Sequence, residues 1–398
     1  MPLAKLQDSD IVIASAARTP MGGFQGALSS LSATELGAAS IRAAITRAEL
    51  TGVQIDEVLM GNVLCAGLGQ APARQAALGA GLAESTPCTT VSKVCGSGMK
   101  AVMLAYDQVK AGSCELVVAG GMESMSNAPY FLPKARQGMR LGHGEIKDHM
   151  FFDGLEDAYT GRTMGSFAQE TADQQQITRE AMDAYALESL RRANQAIAAG
   201  HFRKEIDAIT IRTRGGETRI DVDEQPAKAR PEKIPQLRPA FAKEGTITAA
   251  NSSSISDGAA AMVVMSAACA RALGLSPLAH IVGHANHAQK PGQFTTAPIA
   301  SIQTLMGNVG WSLDSVDLYE INEAFAMVAM LAVTELGLDP KKVNVNGGAC
   351  ALGHPIGASG ARILVTLLFA LQRLGKTRGV ASLCIGGGEA SSIAVELL

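Results

Sequence analysis

The chain carries an internal repeat that spans most of its length. Residues 56–62 (DEVLMGN) resemble residues 317–323 (DLYEINE), and the aspartates that open the two segments lie 261 positions apart. Two Ser-Gly pairs, at 97–98 and 359–360, lie 262 positions apart, and each is followed by an apolar helical pattern and a strand-like run that enters glycines. Several matches at nearly one offset and in one order indicate a duplication. We therefore expect a fold that two similar halves build together.

Strand-like apolar runs alternate with helical patterns along both halves. Residues 11–14 and 58–60 have the short apolar runs of strands, and residues 36–50 have a helix-like pattern. This alternation predicts an α/β fold with a mostly buried sheet. Residues 363–374 are apolar nearly all round, as expected for a helix buried between layers.

An insertion interrupts the repeat. The intervening segment is richer in methionine, glutamine and charge than the halves, and it contains one amphipathic helical pattern, with Thr178 as a plausible N-cap and Gly200 as a stop. We interpret it as an inserted loop or cap domain. The predicted boundaries are 1–120 for the N-terminal half, completed by about 248–270, then 121–247 for the insertion and 271–398 for the C-terminal half.

Composition argues against several classes of function. Aromatic residues make up 4% of the 398 residues and the net charge is -3, which favours neither a base-stacking surface nor a basic field for nucleic acid or membrane. The seven cysteines are an odd number without a CxxC pair, so we expect reduced thiols rather than disulfides or a zinc site. The first residues show no apolar signal core. These features predict a cytoplasmic protein without a bound metal.

Cys95 is the first candidate for chemistry. It lies in residues 94–100 (VCGSGMK), where small residues precede an apolar helical pattern. The partial positive charge at a helix N-terminus stabilises a thiolate, so this position predicts a lowered thiol pKa and a nucleophile. A buried, inert cysteine at a glycine-rich turn explains the same residues equally well.

His354 lies in a second glycine-rich segment, residues 346–360. A histidine held between glycines and a proline has a fixed backbone and little covering bulk, which suits a general base or an oxyanion donor. A lone loop histidine is more often a structural hydrogen-bonding residue, but the density of glycine here favours function.

Two further candidates lie at the ends of predicted strands. Cys384 precedes glycines 386–388, whose backbone N–H groups suit an anion-holding turn, although a buried strand cysteine is the simpler interpretation. Asn322 lies in residues 320–326 (EINEAFA), where its amide could orient water or donate to an oxyanion, and a helix N-cap explains it equally well. Because strand ends in α/β sheets carry sites, the two halves could bring all four groups into one crevice.

Together these segments resemble the thiolase family over essentially the whole chain. Residues 15–20 are similar to its first strand and turn, and residues 95–98 to its nucleophile motif. The NEAF segment 322–325, the GHP segment 353–355 and the segment 384–388 resemble its other motifs, in family order and spacing. The resemblance implies duplicated halves, each a mixed sheet with helices, packed as a five-layer α-β-α-β-α sandwich with an inserted cap domain.

The resemblance also implies acyl transfer between CoA thioesters. His354 would help to deprotonate Cys95, which takes the acyl group, and Cys384 would remove a proton from the methyl carbon of a second acetyl-CoA. His354 and a water held by Asn322 would stabilise the enolate, and the backbone N–H groups of Cys95 and Gly386 the second oxyanion. Two acetyl-CoA would give acetoacetyl-CoA and CoA, reversibly. CoA is then a substrate and product, and no resident cofactor is implied.

Contacts to CoA carry over from the family at single positions. Ser253 resembles its pantetheine contact, and Met164 lies in a segment similar to the pocket of its cap domain, although Thr163 stands where the family often has histidine. Arg230 and Lys233 lie where basic residues often meet the CoA phosphates. A solvated surface lysine explains Lys233 equally well.

The expected acyl chain is short. Phe294 and the segment that includes Ala249 are similar to mitochondrial-type acetoacetyl-CoA thiolases, which favours short chains with or without a 2-methyl branch. Phe325, in the NEAF segment, is expected beside the substrate. The potassium site of that subfamily is not carried over, because its tyrosine is missing from this chain.

Other functions fit parts of the sequence. A degradative 3-ketoacyl-CoA thiolase of β-oxidation would share these motifs around a longer acyl pocket. A decarboxylating ketoacyl synthase would use one cysteine and two histidines, and Cys384 argues against it. A non-catalytic acyl-CoA or lipid carrier would be marked by loss of Cys95 or His354, and both are present. The family is usually a dimer or a dimer of dimers, so we expect a homotetramer with contacts from residues 122–150.

Overall fold

The computed structural model describes residues 3–213 and 215–398 and has an α/β fold. The strands are β1 (Ile11–Arg18), β2 (Gly22–Gly23), β3 (Glu57–Gly61), β4 (Cys88–Val91), β5 (Leu116–Ser124), β6 (Tyr130–Phe131), β7 (Lys147–Asp148), β8 (Ile209–Thr213), β9 (Gly216–Ile220), β10 (Ser256–Ser266), β11 (Ala279–Ala288), β12 (Leu318–Ile321), β13 (Arg378–Ile385) and β14 (Glu389–Leu397). The helices are α1 (Ala33–Arg47), α2 (Pro72–Gly79), α3 (Ser97–Lys110), α4 (Met164–Gln174), α5 (Arg179–Ala198), α6 (Gln225–Lys228), α7 (Ala267–Ala272), α8 (Ala297–Val309), α9 (Ala326–Leu336), α10 (Ala349–Leu352) and α11 (Ile356–Leu374).

The main sheet consists of two halves, the blades, and both halves have the same strand order. The first blade runs β4-β3-β5-β10-β1 and the second runs β12-β13-β14-β11. In both, a parallel pair (β3 with β5, β12 with β13) is followed by antiparallel pairings through β10 or β14. A parallel bridge between Tyr319 and Val343 occupies the place of the β3–β4 pairing in the second blade. This shared topology confirms the predicted duplication.

The two blades form two of five layers. β1 and β11 join them where Val12 pairs with His280 and Ile13 with Ala279. Helices α3 and α11 pack between the blades in the largest apolar core, α1 and α2 cover the outer face of the first blade, and α8 and α9 cover that of the second. The sandwich is therefore α-β-α-β-α, as predicted. Strands β1, β5, β10 and β13 are almost wholly buried because helices cover both faces of each blade.

Helix α11 fills the centre of the sandwich. Among the described residues it alone is long and apolar enough to cross a membrane, but 83% of its most apolar window is buried inside the fold, as in a core helix. It begins at Ile356, so the start predicted after Gly360 is too late. After Ile356, the next four residues (357–360, GASG) are small and lack apolar bulk, which hides the helical pattern. Those small residues let it meet β5, since a Cβ at Gly121 would lie 2.2 Å from the carbonyl oxygen of Gly357.

The insertion follows β5 and returns at β10. Strand β5 continues to Ser124, so the boundary predicted after residue 120 lies inside it, and the domain limits stay a prediction. The predicted amphipathic helix is confirmed as α5. The Thr178 side chain accepts a hydrogen bond from the backbone N–H of Ala181, and Gly200 follows with a φ of 71°.

A buried ion-pair cluster ties the insertion to the first blade. Arg18, at the end of β1, donates from both terminal guanidinium nitrogens to Asp223 at 2.7 and 2.8 Å and from Nε to Glu205 at 2.7 Å. Its guanidinium also lies 5.0 Å from the centroid of the Phe202 ring. Because the three charged groups are buried together, loss of one would leave an uncompensated charge in the core.

Candidate active site

An apolar cavity of about 360 Å³ is lined by residues from both halves and from the insertion. Positions that are distant in sequence meet here. Of the four catalytic candidates expected in one crevice, Cys95 and His354 lie on the cavity wall, whereas Asn322 and Cys384 do not. The predicted site residues on its wall are Cys95, Met164, Ala249, Ser253, Phe294, Phe325, His354 and Gly386.

Cys95 lies in the turn that leads into α3. Gly96 occupies the N-cap position, so the thiol precedes the first helical turn. Val94, just before it, has a φ of 44°, which is a strained conformation for a β-branched residue. Such strain persists where the surrounding structure enforces it and is concentrated at functional turns.

The thiol of Cys95 is neutral in the resting site. Burial raises the pKa of Cys95 to about 11, although hydrogen bonds from the backbone N–H groups of Gly386 and of Cys95 itself lower it. The predicted lowered pKa is therefore wrong, because the partial charge at the start of α3 does not offset desolvation. A nucleophilic sulfur at this position needs a base beside it.

His354 presents an unprotonated nitrogen. Ser359 Oγ donates to the Pro355 carbonyl at 2.9 Å, and a hydroxyl has one hydrogen, so in its 2.5 Å contact with His354 Nδ1 the oxygen accepts. The proton therefore lies on Nδ1, and Nε2, which has no partner among the described residues, keeps its lone pair. Burial, assisted by Arg362, lowers the pKa of His354 to about 3, so the imidazole is neutral.

Asn322 lies directly after β12 and beside this histidine. Its Nδ2 is 3.5 Å from His354 Nδ1, and its Oδ1 is buried without a partner in the described part of the chain. The alternative N-cap role is wrong, because α9 begins at Ala326 with Phe325 at the cap position. The amide oxygen is therefore available to accept a hydrogen bond from a water.

Cys384 is fully buried near the end of β13, in a cluster that includes Phe294 and Phe325. Burial raises the pKa of its thiol well above the usual value, and an ionised Cys95 would raise it further. Cys384 is not on the cavity wall, but its thiol is near enough to Cys95 for a charge there to act on it.

Aromatic side chains narrow the cavity. The Phe325 ring meets those of Phe294 and Phe241 edge-on, at centroid distances of 6.4 and 6.1 Å. Phe241 comes from the insertion and lies over Gly165, where a Cβ would be 2.3 Å from the ring. Phe241 follows no periodic pattern in the sequence, so nothing there marks it as a site residue.

Arg230 and Lys233 lie at a neighbouring cavity. That cavity has about 320 Å³, also includes Lys228, and shares Ala249 and Ser254 with the first one. The structure therefore places these basic residues beside the apolar cavity rather than in it. A ligand with an apolar arm and an anionic end suits the two adjoining cavities.

Glu123 supports the structure of the site, a role that the sequence did not indicate. At the end of β5, its carboxylate accepts hydrogen bonds from the backbone N–H groups of Val63, Leu64 and Gly357 at 3.1, 3.2 and 2.9 Å. It thereby joins the segment after β3 to the first turn of α11. Burial raises the pKa of Glu123 to about 7. An isolated glutamate after an apolar run looks like a solvated strand end, so only the packing identifies it.

Comparisons with known proteins agree with this arrangement. The chain matches the family models thiolase, N-terminal domain, over residues 11–268 and thiolase, C-terminal domain, over residues 275–397. It is 52% identical over 394 residues to acetyl-CoA acetyltransferase 2 of Arabidopsis thaliana, covering 98% of this chain and 97% of that relative. It is 47% identical over 391 residues to acetyl-CoA acetyltransferase of Schizosaccharomyces pombe, covering 98% and 99% of the two chains.

Solved structures show the same fold. The Acat5 thiolase of Ascaris suum in complex with coenzyme A superposes with a TM-score of 0.93 at 44% identity, covering 98% of this chain and 100% of that one. The acetyl-CoA acetyltransferase of Bacillus anthracis superposes with a TM-score of 0.95 at 42% identity, covering 98% and 99%. Together with the two matched domains, these likenesses confirm the predicted resemblance: the chain belongs to the thiolase family and is an acyltransferase.

Proposed function

We propose that the chain is an acetyl-CoA C-acetyltransferase that condenses two acetyl-CoA reversibly to acetoacetyl-CoA and CoA through an acyl-Cys95 intermediate. The observation that carries the proposal is a neutral thiol, Cys95, on the wall of one apolar cavity with the unprotonated Nε2 of His354. Relatives named acetyl-CoA acetyltransferase, at 52% and 47% identity over nearly the whole chain, support the choice of acetyl groups.

In the first half-reaction, His354 Nε2 accepts the thiol proton of Cys95 and the sulfur attacks the thioester carbonyl. The backbone N–H groups of Cys95 and Gly386 hold the oxyanion, a role supported by their hydrogen bonds to the Cys95 sulfur. CoA leaves as a thiol with the proton from His354, and the acetyl group stays on Cys95.

In the second half-reaction, Cys384 is the base. Cys384 gives its proton to His354 and then takes one from the methyl carbon of the second acetyl-CoA. The imidazolium and a water on Asn322 stabilise the enolate oxygen. The carbanion attacks the acetyl group, and the Cys95 sulfur leaves with the proton from His354.

CoA itself would lie across the two adjoining cavities. Its pantetheine arm would pass Ser253, Ala249 and Met164 on the apolar wall, and its phosphates would reach Arg230 and Lys233. The crystal structure of the Ascaris suum Acat5 thiolase in complex with coenzyme A supports a CoA site in this fold.

A short acyl chain suits the crowded aromatic end of the cavity, where Phe294, Phe325 and Phe241 meet. We expect the rate of thiolysis to be much higher on acetoacetyl-CoA than on 3-ketooctanoyl-CoA. The opposite order would favour a degradative thiolase instead.

The decisive experiment detects the acyl enzyme. Purified protein is mixed with acetoacetyl-CoA and CoA, quenched with acid and digested, and we expect an acetyl group by mass on the Cys95 peptide. Cys269→Ala, in the remote helix α7, serves as a matched cysteine control and should acylate and turn over normally. Rapid turnover without an acylated cysteine would contradict the proposed mechanism.

The two cysteines have separable roles in this scheme. Cys384→Ala should still acquire the acetyl group at Cys95 and fail to condense it with a second acetyl-CoA, because the α-proton has no base. Normal condensation by this variant would show that Cys384 is not that base.

A homotetramer is a further expectation of this proposal. Exposed apolar side chains in residues 122–150 support a subunit contact there: Tyr130, Leu141 and Ile146. Light scattering on the purified protein measures the oligomeric state. A cytoplasmic location and independence from a resident cofactor stay predictions.

A further inference from the structure

A polar stripe runs along one face of α11 inside the core. Ser359, Arg362 and Thr366 are all buried and follow one another at spacings of three and four residues, so they share a helix face. Ser359 contacts His354 Nδ1, and Thr366 Oγ1 donates to Glu205 at 3.1 Å. The stripe therefore connects the active site with the buried ion-pair cluster that anchors the insertion.

Arg362 is a buried cation that forms no direct ion pair with any described residue. It is 2% exposed, and none of its three guanidinium nitrogens has a hydrogen-bond partner among the described residues. The charges that act on it are those of Glu320, Arg18, Glu205 and Asp223, but the last two already pair with Arg18. An arginine stays protonated in proteins. The positive charge of Arg362 is therefore exerted on its surroundings without close neutralisation.

Residues around the stripe carry buried hydrogen-bond acceptors that no described protein group uses. Oε1 of Glu320, Oδ1 of Asn322 and Oε2 of Glu205 are buried and lack partners in the described part of the chain. Buried polar groups of this kind are bridged by ordered water in globular proteins. The charged and titratable groups around this space are Arg18 from β1, Arg192, Glu205 and Asp223 from the insertion, Glu320 from β12 with Glu323 just after it, Arg362 from α11, and, towards the cavity, His354, Cys95 and Cys384.

We propose that Arg362 is a positioning residue whose buried charge destabilises the imidazolium form of His354. Arg362 lies one helical turn beyond Ser359, the serine that contacts His354. Its charge thereby keeps Cys95 and His354 as a neutral thiol–imidazole pair between turnovers. Like charges repel strongly in a poorly solvated interior. The imidazolium formed when the Cys95 proton moves to Nε2 is then a strong acid, which passes that proton to the leaving CoA sulfur. The role of Arg362 in turnover rests on the proposed acyl transfer.

The test separates charge from structure with three substitutions. Arg362→Met and Arg362→Gln remove the charge, and Arg362→Lys keeps it. Arg373→Gln is the control on the same helix, since Arg373 bonds Asn346 at 2.9 Å and lies about two turns beyond Thr366, away from His354. Two rates are measured at neutral pH: alkylation of Cys95 by iodoacetamide, followed by peptide mass, and thiolysis of acetoacetyl-CoA.

Without the charge, the thiolate–imidazolium form should become more populated. A rise of about one unit in the pKa of His354 increases that population about tenfold. We therefore expect the Met and Gln variants to alkylate at Cys95 about tenfold faster while kcat falls and KM stays near that of the parent. The Lys variant and Arg373→Gln should match the parent in both rates.

Unchanged or slower alkylation in a folded variant without the charge would overturn the inference, and so would a parallel loss of both rates, which marks a structural role. Should Arg362→Met fail to fold, Arg362→Gln answers the same question, because its amide can bond ordered water. If the unsubstituted protein does not catalyse thiolysis, the proposed function fails. The alkylation rates of the variants still show whether the charge of Arg362 acts on the Cys95–His354 pair.

Discussion

At the scale of single residues, burial determines where the protons of the active site lie. It raises the pKa of the Cys95 thiol to about 11 and, with Arg362, lowers that of His354 to about 3. The pair therefore starts neutral, unlike a thiolate–imidazolium pair. A neutral pair in an apolar cavity suits carbanion chemistry, because a free charge and its hydration water would both compete with the enolate.

Backbone conformation positions the side chain of His354, and a substitution at Gly353 tests this. Gly353 has a φ of 106°, and a Cβ there would lie 2.2 Å from Ser256 Oγ, which accepts from the His354 backbone N–H at 3.3 Å. We expect Gly353→Ala to lower the free energy of unfolding by about 2–4 kcal/mol and to reduce kcat at least tenfold, because strain and overlap displace His354. Urea unfolding and thiolysis rates measure the two effects.

The matched control is an unconstrained glycine. Gly307 is exposed within α8, and a Cβ there would meet nothing within 4 Å. Gly307→Ala should raise the free energy of unfolding by about 0.5–1 kcal/mol and leave kcat unchanged. A Gly353→Ala enzyme as stable and active as the parent would show that this backbone position does not constrain the histidine.

At the scale of elements, a helix was predictable where its ends carry their own signals. Helix α5 has a capping threonine, an apolar face and a terminal glycine, and all lie within its own sequence. The start of α11 was predicted too late because Ile356 is followed by small residues, and only the contact of these residues with β5 explains them. Local chemistry fixes the limits of the first helix, and contact with distant residues fixes those of the second.

The cap of α5 makes a measurable contribution. Thr178 Oγ1 accepts from the Ala181 backbone N–H at 3.2 Å, so Thr178→Ala should lower the free energy of unfolding by about 1 kcal/mol. Thr178→Ser keeps the hydroxyl and should stay within a few tenths of the parent. Both variants should retain full kcat, since the cap lies outside the cavity. Equal destabilisation of the two variants in urea would assign the effect to packing of the threonine methyl group instead.

At the scale of the whole molecule, the repeat and the motifs predicted more than any single element did. The offset of the halves anticipated two blades with one strand order, and the glycine-flanked cysteine and histidine anticipated two residues of one cavity. Arg362 and Glu320 were not predicted as buried charges, because a charged residue in an apolar run is usually solvated. The pKa of Cys95 was predicted with the wrong sign, since desolvation depends on residues distant in the chain.

Buried carboxyl groups should make the stability of the whole molecule depend on pH. Burial raises the pKa of Glu123 to about 7 and, although Arg362 opposes it, that of Glu320 to about 8. An acid with a raised native pKa binds protons more tightly when folded, so its contribution is lost as pH rises from its unfolded value, 4.5, through the native one. Burial lowers the pKa of His354 from 6.5, which acts in the opposite direction but only below that value.

The histidine effect, to which His201 and His280 also contribute, is largely complete by about pH 6.5. Between about pH 6.5 and about pH 8 the carboxyl effect is therefore the larger, and the free energy of unfolding should fall by roughly 1–2 kcal/mol. Urea unfolding at the two pH values and one protein concentration measures the fall, the fixed concentration keeping any subunit association constant. Glu320→Gln removes one of the two acids and should reduce the difference between the pH values, whatever its effect on stability at either one. A stability that rises with pH over this range, or a slope that Glu320→Gln leaves intact, would mean that Glu320 is ionised in the folded protein, held in that form by the charge of Arg362.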